Sequence, residues 1–310
     1  MEKIIVIAGP TAVGKTALSI QLAKEFNGEI ISGDSMQVYT GLDIGTAKVT
    51  KAEQVGIAHH LIDCRQLEEN YSVADFQKEG RQAIEAIVSK GKLPIVVGGT
   101  GLYLQALLYD FELGSKDEDP QVREAYEQFL KENSPRQLWE LLKEKDEQAA
   151  KAIHYNNTVK VIRALEVYDK TGYSILTPKE KPKPLYDYFL IGLETDRQVL
   201  YNRINQRVNQ MLERGILAEA KQLYTRQEVQ ATQGIGYKEF FPYFDGTISL
   251  DEAVQQVKQN SRRYAKRQLT WFKNRMQAQW WDLVAIPENT VRLKQEIAQW
   301  LITSEGSADG

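Results

Sequence analysis

The octapeptide Gly9-Pro10-Thr11-Ala12-Val13-Gly14-Lys15-Thr16 constrains this chain more than any other stretch, because a G-x-x-x-x-G-K-T sequence has its meaning only between a buried strand and a helix. Both flanks are present. Residues 3–8 are β-branched and apolar, as in a strand covered on both faces, and residues 17–24 carry helical spacing. In such a loop the glycines let backbone N–H groups turn toward a diphosphate, Lys15 adds a point charge, and the following helix directs its positive end at the anion. Thr16 supplies a hydroxyl suited to Mg2+. The motif specifies a phosphate chain but not the molecule that carries it.

Further apolar runs at 29–32, 93–97 and 187–193 alternate with helical patterns such as 73–89, which predicts an α/β fold: a P-loop, doubly wound parallel sheet. Between the last two runs lies an acidic, helix-rich stretch around 125–148, closed by the proline-rich residues 177–184, an extended connector. The domain plan is therefore a core of 1–115 and 188–310 interrupted by a helical insertion at 116–187. Beyond 193 the pattern is mostly helical, including 197–214 and 250–278. The 310 residues carry one cysteine and three histidines, which leaves no disulfide framework and makes a zinc centre a poor fit. The apolar opening run is too short to span a membrane, so a cytoplasmic protein with no membrane association is expected, as a monomer.

A nucleotide hydrolase or kinase built on this loop commonly uses a carboxylate at the end of a second strand to help hold Mg2+. Here that strand ends Val97-Gly98-Gly99-Thr100, without an acid. The early acid is Asp34, just after the second strand. Strand ends on the carboxyl side share one crevice, so Asp34 and Thr100 are both expected to open toward the diphosphate. Asp34 is either a base or a turn residue capping local backbone. One basic stretch, 257–275, carries Lys258, Arg262, Arg263, Lys266, Arg267, Lys273 and Arg275 with no acid, among Tyr264, Trp271 and Phe272. In a chain of net charge −3 that segregation suits a phosphate backbone with stacked bases, or else an amphipathic helix with solvated charges.

Taken in order, Gly9 to Thr16, Asp34 to Tyr39, Asp43-Ile44-Gly45-Thr46-Ala47-Lys48, His59-His60-Leu61-Ile62-Asp63, Tyr71 to Phe76, Val97 to Tyr103, Arg163 to Val167, Arg203, Arg207, Met211, Gly234 to Glu239 and Tyr264 to Phe272 resemble the tRNA dimethylallyltransferases almost end to end. The resemblance implies attack of N6 of adenosine 37, beside the tRNA anticodon, on dimethylallyl diphosphate, with Mg2+ as cofactor. It implies that Asp34 accepts the N6 proton, Thr100 positions the base, and Lys15, Thr16 and Arg207 meet the diphosphate. It further implies tRNA contacts at Ser35, Met36, Gln37, Arg123, Asn157, Thr158 and Lys160. Lys266 and Arg267 join them as the basic-helix candidates. Arg203, one turn before Arg207, is either a second diphosphate contact or a surface charge.

His59 and His60 point to opposite faces of a strand and read as packed or hydrogen-bonded rather than metal-binding. Cys64 reads as a small buried residue, Trp280-Trp281 as core, and 303–310 as a disordered tail. Three classes stay open: prenyl transfer, to tRNA or to a free adenylate; phosphoryl transfer by a nucleotide kinase; and RNA binding without catalysis. The insertion and the basic helix favour a macromolecular acceptor.

Overall fold

The computed structural model describes residues 1–110, 120–177 and 182–303. In chain order the elements are β1 (Lys3–Ala8), α1 (Lys15–Glu25), β2 (Gly28–Ser32), α2 (Lys51–Gln54), β3 (His59–His60), α3 (Val73–Val88), β4 (Leu93–Gly98) and α4 (Gly101–Leu108). Then follow α5 (Pro120–Glu132), α6 (Pro135–Lys145), α7 (Glu147–Ala152), α8 (Thr158–Thr171), β5 (Asp187–Leu193), α9 (Arg197–Glu213) and α10 (Ile216–Tyr224). The series ends with α11 (Phe241–Phe244), α12 (Leu250–Arg275), β6 (Gln279–Trp281) and α13 (Asn289–Thr303). The strands form one parallel sheet in the order β3-β2-β4-β1-β5-β6.

β1 lies inside this sheet and is covered on both sides, which is why it reads as an unbroken apolar run. Ile4, Val6 and Ala8 join one cluster with Phe76, Ile84, Leu104 and Leu107, whereas Ile5 and Ile7 join another with Leu18, Leu22, Leu200 and Ile297. Alternate residues of one strand thus feed two cores, and helices occupy both faces as the α/β expectation required.

One edge strand was not foreseen. β3 is the strand on which His59 and His60 were placed, whereas β6, three residues long and too short to show an alternating pattern, lies where no strand was expected. The long helix stops at Arg275 rather than 278 because Met276 turns extended, and Trp280 then pairs beside Gly192 of β5. Trp281 is buried there. On β3, His60 Nε2 lies 2.8 Å from Glu29 Oε2 and His59 Nδ1 2.9 Å from the Ile57 carbonyl, the hydrogen-bonded role expected of that pair.

The chain divides into two compact units, 1–110 with 184–310 and 111–183. The second has its own core, in which Leu138 and Leu142 of α6 meet Ala149 of α7 and Val161 and Leu165 of α8. Residues 184–187 group with the first unit, where the Leu185 N–H donates to the Leu108 carbonyl and Asp187 opens β5. Parts of the insertion boundary and of the proline-rich connector, at 116–119 and 178–181, lie outside the described residues, as does the tail from 304 onward. Among the described residues no helix is long and apolar enough to cross a membrane.

Candidate active site

β1 ends against the loop that the sequence marks out, and α1 begins at Lys15 with Gly14 as its N-cap. Gly9 and Gly14 have φ of +151° and +106°, and a Cβ on Gly9 would stand 2.7 Å from the Leu193 carbonyl oxygen. Only glycine meets both demands at Gly9. Lys15 folds back over the loop, donating from Nζ to the carbonyls of Gly9 (2.9 Å) and Pro10 (2.7 Å). Burial lowers its pKa to about 7, the Arg207 charge adds to the depression, and the Asp34 charge opposes it.

Past the end of β2, Asp34 accepts the Met36 N–H at 2.9 Å, so it closes a turn while its carboxylate lines the same cavity as Lys15. The turn reading of this residue holds, and the same carboxylate lines the cavity as the base reading requires. Gln37 is fixed by the Ser32 hydroxyl (2.9 Å) and donates toward the Thr46 carbonyl at 3.3 Å. The loop 43–48 behind it is held by a carboxylate from α10. Glu219, buried, accepts the N–H groups of Asp43 (2.9 Å), Ile44 (2.7 Å) and Gly45 (3.0 Å), together with the Tyr237 hydroxyl (3.1 Å). Lys48, also buried, donates to the Tyr39 carbonyl, Asp43 and Asp63.

α9 bridges these two walls. Arg203 donates from Nε to the Ala12 carbonyl at 2.9 Å, and Arg207, one turn on, reaches the Thr46 carbonyl at 3.5 Å. Arg203, which the sequence left open as a surface charge, is exposed but anchored on the phosphate loop. Burial depresses the Arg207 pKa against the pull of Asp34.

The fourth wall is α12. Gln268, buried, accepts the Thr11 N–H and donates to the Gly99 carbonyl, each at 3.0 Å. One turn earlier Tyr264 lines the cavity; burial, then the Asp34 charge, pushes its phenol up to about 12 against contacts to Thr100, Arg267 and Gln268. The aromatic residues of this helix face inward: Phe272 is fully buried, Trp271 packs where any side chain on Gly101 would sit, and Arg267 stands 5.6 Å from the Tyr264 ring centroid. Base stacking on Phe272 is therefore excluded by packing, Trp271 is half-buried, and Arg263, Lys266 and Arg267 remain exposed.

Together these walls enclose a cavity of about 960 Å³, roomy enough for a diphosphate and a base side by side. Thr11, Ala12, Gly14, Lys15, Thr16, Asp34, Ser35, Met36, Gln37, Arg207 and Arg267 line it, while Gly9, Pro10 and Val13 support the loop from behind. Asp34 meets the expectation of opening into the crevice. Thr100 does not reach the lining; its Oγ1 is buried, makes no hydrogen bond of good geometry, and lies next to the Tyr264 phenol. Arg123, Asn157, Thr158 and Lys160 belong to the other compact unit. There Arg123 pairs with Glu127 at 2.9 Å and Asn157 caps α8. Cys64 is half-buried, and burial raises its thiol. Among the described residues no group of three or more His, Cys, Asp or Glu side chains could hold a metal. The Thr16 hydroxyl lines the cavity beside Lys15 and is an oxygen donor of the kind a hard cation takes.

Gln268 and Glu219 were not singled out from sequence. Each had one local signal, a polar residue on an apolar helical stripe: Ala265, Gln268 and Phe272 on α12, and Ile216, Glu219, Ala220 and Leu223 on α10.

Residues 37–275 match the family model described as IPP transferase. The chain is 67% identical over 307 residues to the tRNA dimethylallyltransferase of Enterococcus faecalis, covering 98% of this chain and 99% of that one. Its identity to the corresponding protein of Latilactobacillus sakei is 54%, over 97% and 98% of the two chains. Among solved structures it is similar to the full-length tRNA isopentenylpyrophosphate transferase of Bacillus halodurans, with 47% identity, a TM-score of 0.75 and 97% coverage of both chains. A eukaryotic dimethylallyltransferase acting on tRNA superposes with a TM-score of 0.80 at 34% identity, over 96% of this chain and 80% of that one.

Proposed function

The chain belongs to the IPP transferase family, and on that premise we propose that it transfers the dimethylallyl group of dimethylallyl diphosphate to N6 of adenosine 37 in tRNA, releasing diphosphate. The observation that carries this reading is one cavity with cations at one end and a carboxylate close by. Lys15, Arg203 and Arg207 gather around the phosphate loop, and Asp34 lines the same space.

The chemistry asks for that arrangement. The C1–O bond to diphosphate breaks as the N6–C1 bond forms, so negative charge grows on the leaving group while the allylic carbon becomes cation-like. Preorganised cations at the leaving group are the largest available stabilisation. Lys15 donates to its own loop, and an arriving diphosphate offers stronger, charged acceptors in place of those carbonyls. Arg203 is held at the loop by the Ala12 carbonyl and Arg207 is directed into the cavity from the Thr46 carbonyl, so backbone acceptors place both guanidinium groups. Mg2+, held by the Thr16 hydroxyl and diphosphate oxygens, would neutralise further charge on the leaving group.

The N6 proton leaves once its nitrogen is bonded to carbon and acidified, and Asp34 accepts it; no strongly basic residue is needed. The target adenine must leave its stack to enter the cavity. Ser35, Met36 and Gln37 meet the tRNA beside it. Thr100 does not line the cavity, so its part in positioning the base runs through its neighbour Tyr264. Lys266 and Arg267 hold phosphates. In the inserted unit, Arg123, Asn157, Thr158 and Lys160 supply further contacts, with Asn157 serving its helix as a cap at the same time. The protein acts in the cytoplasm as a monomer.

The kinase reading loses ground on the residues themselves, since β4 runs into Gly98-Gly99-Thr100 without an acid. The test is incubation with labelled dimethylallyl diphosphate, Mg2+ and either unmodified tRNA or AMP, followed by mass analysis of nucleosides. Isopentenyladenosine from tRNA alone is expected. Product from AMP alone would move the acceptor to free nucleotide, and no product in either arm would sink the transfer reading.

A further inference from the structure

Gln268 is the one buried polar side chain of α12, and its carboxamide is used twice. Its Oε1 accepts the Thr11 N–H and its Nε2 donates to the Gly99 carbonyl, each at 3.0 Å. The two partners fix which end of the amide is which, since one is a donor and the other an acceptor. They also belong to different halves of the reaction. Thr11 opens the phosphate loop, which holds the donor. Gly99 precedes Thr100 and α4, on the side assigned to the incoming base. Gly99 itself has no space for a side chain, because a Cβ there would stand 2.1 Å from Gln268 Nε2. The same helix presents Tyr264 and Arg267 to the cavity, one turn and one residue before Gln268.

We propose that Gln268 is a positioning residue that sets the spacing between the diphosphate cradle and the acceptor side of the cavity, so that C1 of the bound donor and the attacking nitrogen meet at reacting distance. This rests on the transfer reading above and on the acceptor-side role given to Thr100 and Tyr264. A backbone N–H of the phosphate loop is committed to a side chain from α12 rather than to the ligand. Any shift of that helix therefore moves the loop, Gly99 and Tyr264 together. Misplacement of reacting groups by about 1 Å can cost on the order of 100-fold in rate. The effect should fall on kcat, because the cations that bind diphosphate do not depend on the carboxamide.

The experiment compares wild type, Gln268→Met and Gln268→Glu in the full chain, with single-turnover transfer to unmodified tRNA, donor and tRNA affinities, and melting temperature. Wild-type product is the control: its absence would count against the transfer reading rather than against Gln268. Gln268→Met keeps the length and loses both hydrogen bonds. The expected result is a fall in kcat on the order of 10- to 100-fold, with donor and tRNA affinities changed by less than about 3-fold and the protein folded at the assay temperature. Gln268→Glu supplies a second, independent reading. As a carboxylate it repels the Gly99 carbonyl, but as a neutral acid it donates to that carbonyl and accepts from Thr11, as the amide does. Its kcat relative to wild type should therefore rise as pH falls. Unchanged kcat in Gln268→Met would overturn the proposal. So would a loss that only tracks the unfolded fraction, a loss confined to donor affinity, or a flat pH ratio for Gln268→Glu.

Discussion

The two loops that face each other across the cavity are held by opposite means. The phosphate loop, 9–16, is shaped chiefly by its own backbone, through two positive-φ glycines, the start of α1 and a lysine turned onto carbonyls five and six residues away, with Gln268 and Arg203 as its contacts from outside. The acceptor loop, 34–48, depends on buried charge, with Glu219 from α10 collecting three successive N–H groups and the loop's own Lys48 binding a carbonyl and two aspartates. A ligand can reorganise the first at little cost. The second is fixed by contacts that a ligand has no need to replace, as suits a wall proposed to carry the proton acceptor.

If the walls divide the work in this way, damage to each has a separate signature. The largest expected effect is at Asp34. Asp34→Asn should lower kcat for transfer by roughly 100- to 10,000-fold while the donor binds as in wild type, measured by single-turnover assay and titration with dimethylallyl diphosphate. Wild-type turnover in this variant would remove Asp34 as proton acceptor.

Lys15 tests the opposite wall. Lys15→Met should weaken donor binding by roughly 10- to 100-fold, as loss of a charge-assisted contact predicts, and leave tRNA affinity alone. It should also raise the melting temperature of the donor-free protein at neutral pH. The folded pKa near 7 lies below the ordinary 10.5, so the unfolded chain holds more protons between those values and stability increases with pH across that window. The penalty is complete below about pH 7, and the gain from Lys15→Met should shrink as pH approaches 10.5. Thermal scans of both proteins from pH 6 to 10 check the sign.

Glu219→Leu leaves three backbone donors and a phenol without their acceptor, and should destabilise the protein by about 2–4 kcal/mol in denaturant titration. Faster hydrogen exchange at residues 43–46, with donor affinity unchanged, would sharpen the contrast between the loops. Equal loosening of residues 9–16 would break it. The smallest effect should come from outside both walls: replacing Lys266 and Arg267 by alanine should weaken tRNA binding modestly and reduce the salt slope by about 1 to 2. A slope equal to wild type would leave the basic helix as a solvated surface.

The same contrast explains what could be read from residues alone. The phosphate loop, β1, β2, β4, β5 and their helices were legible because each is written in a local run of apolar spacing around a motif whose parts are adjacent. Asp34 was legible as a strand-end acid. Glu219 and Gln268 were not, because their partners lie 174–176 and 169–257 residues away and nothing in the neighbouring sequence names them. The edge strand β6 escaped for a different reason: at three residues its pairing is imposed by β5 rather than by its own pattern. For α12 the amphipathic reading held for Phe272, whose ring is fully buried, but composition could not show that Trp271 packs against Gly101.

The position of β1 has a consequence for how the polypeptide is made. Its two neighbours are β4 and β5, and Lys3 at its start donates to the carbonyls of Trp300 and Leu301 in the final helix. The earliest strand therefore waits for some of the latest residues. At synthesis rates of 5–20 residues per second, the interval between β1 and β5 is roughly 10–35 s. During that time the apolar edge of β1 facing β5 has no partner, and the inserted segment with its own core emerges first. Nascent chains halted before residue 187 should hold a protease-resistant fragment within 120–177 beside a sheet still open to chaperones.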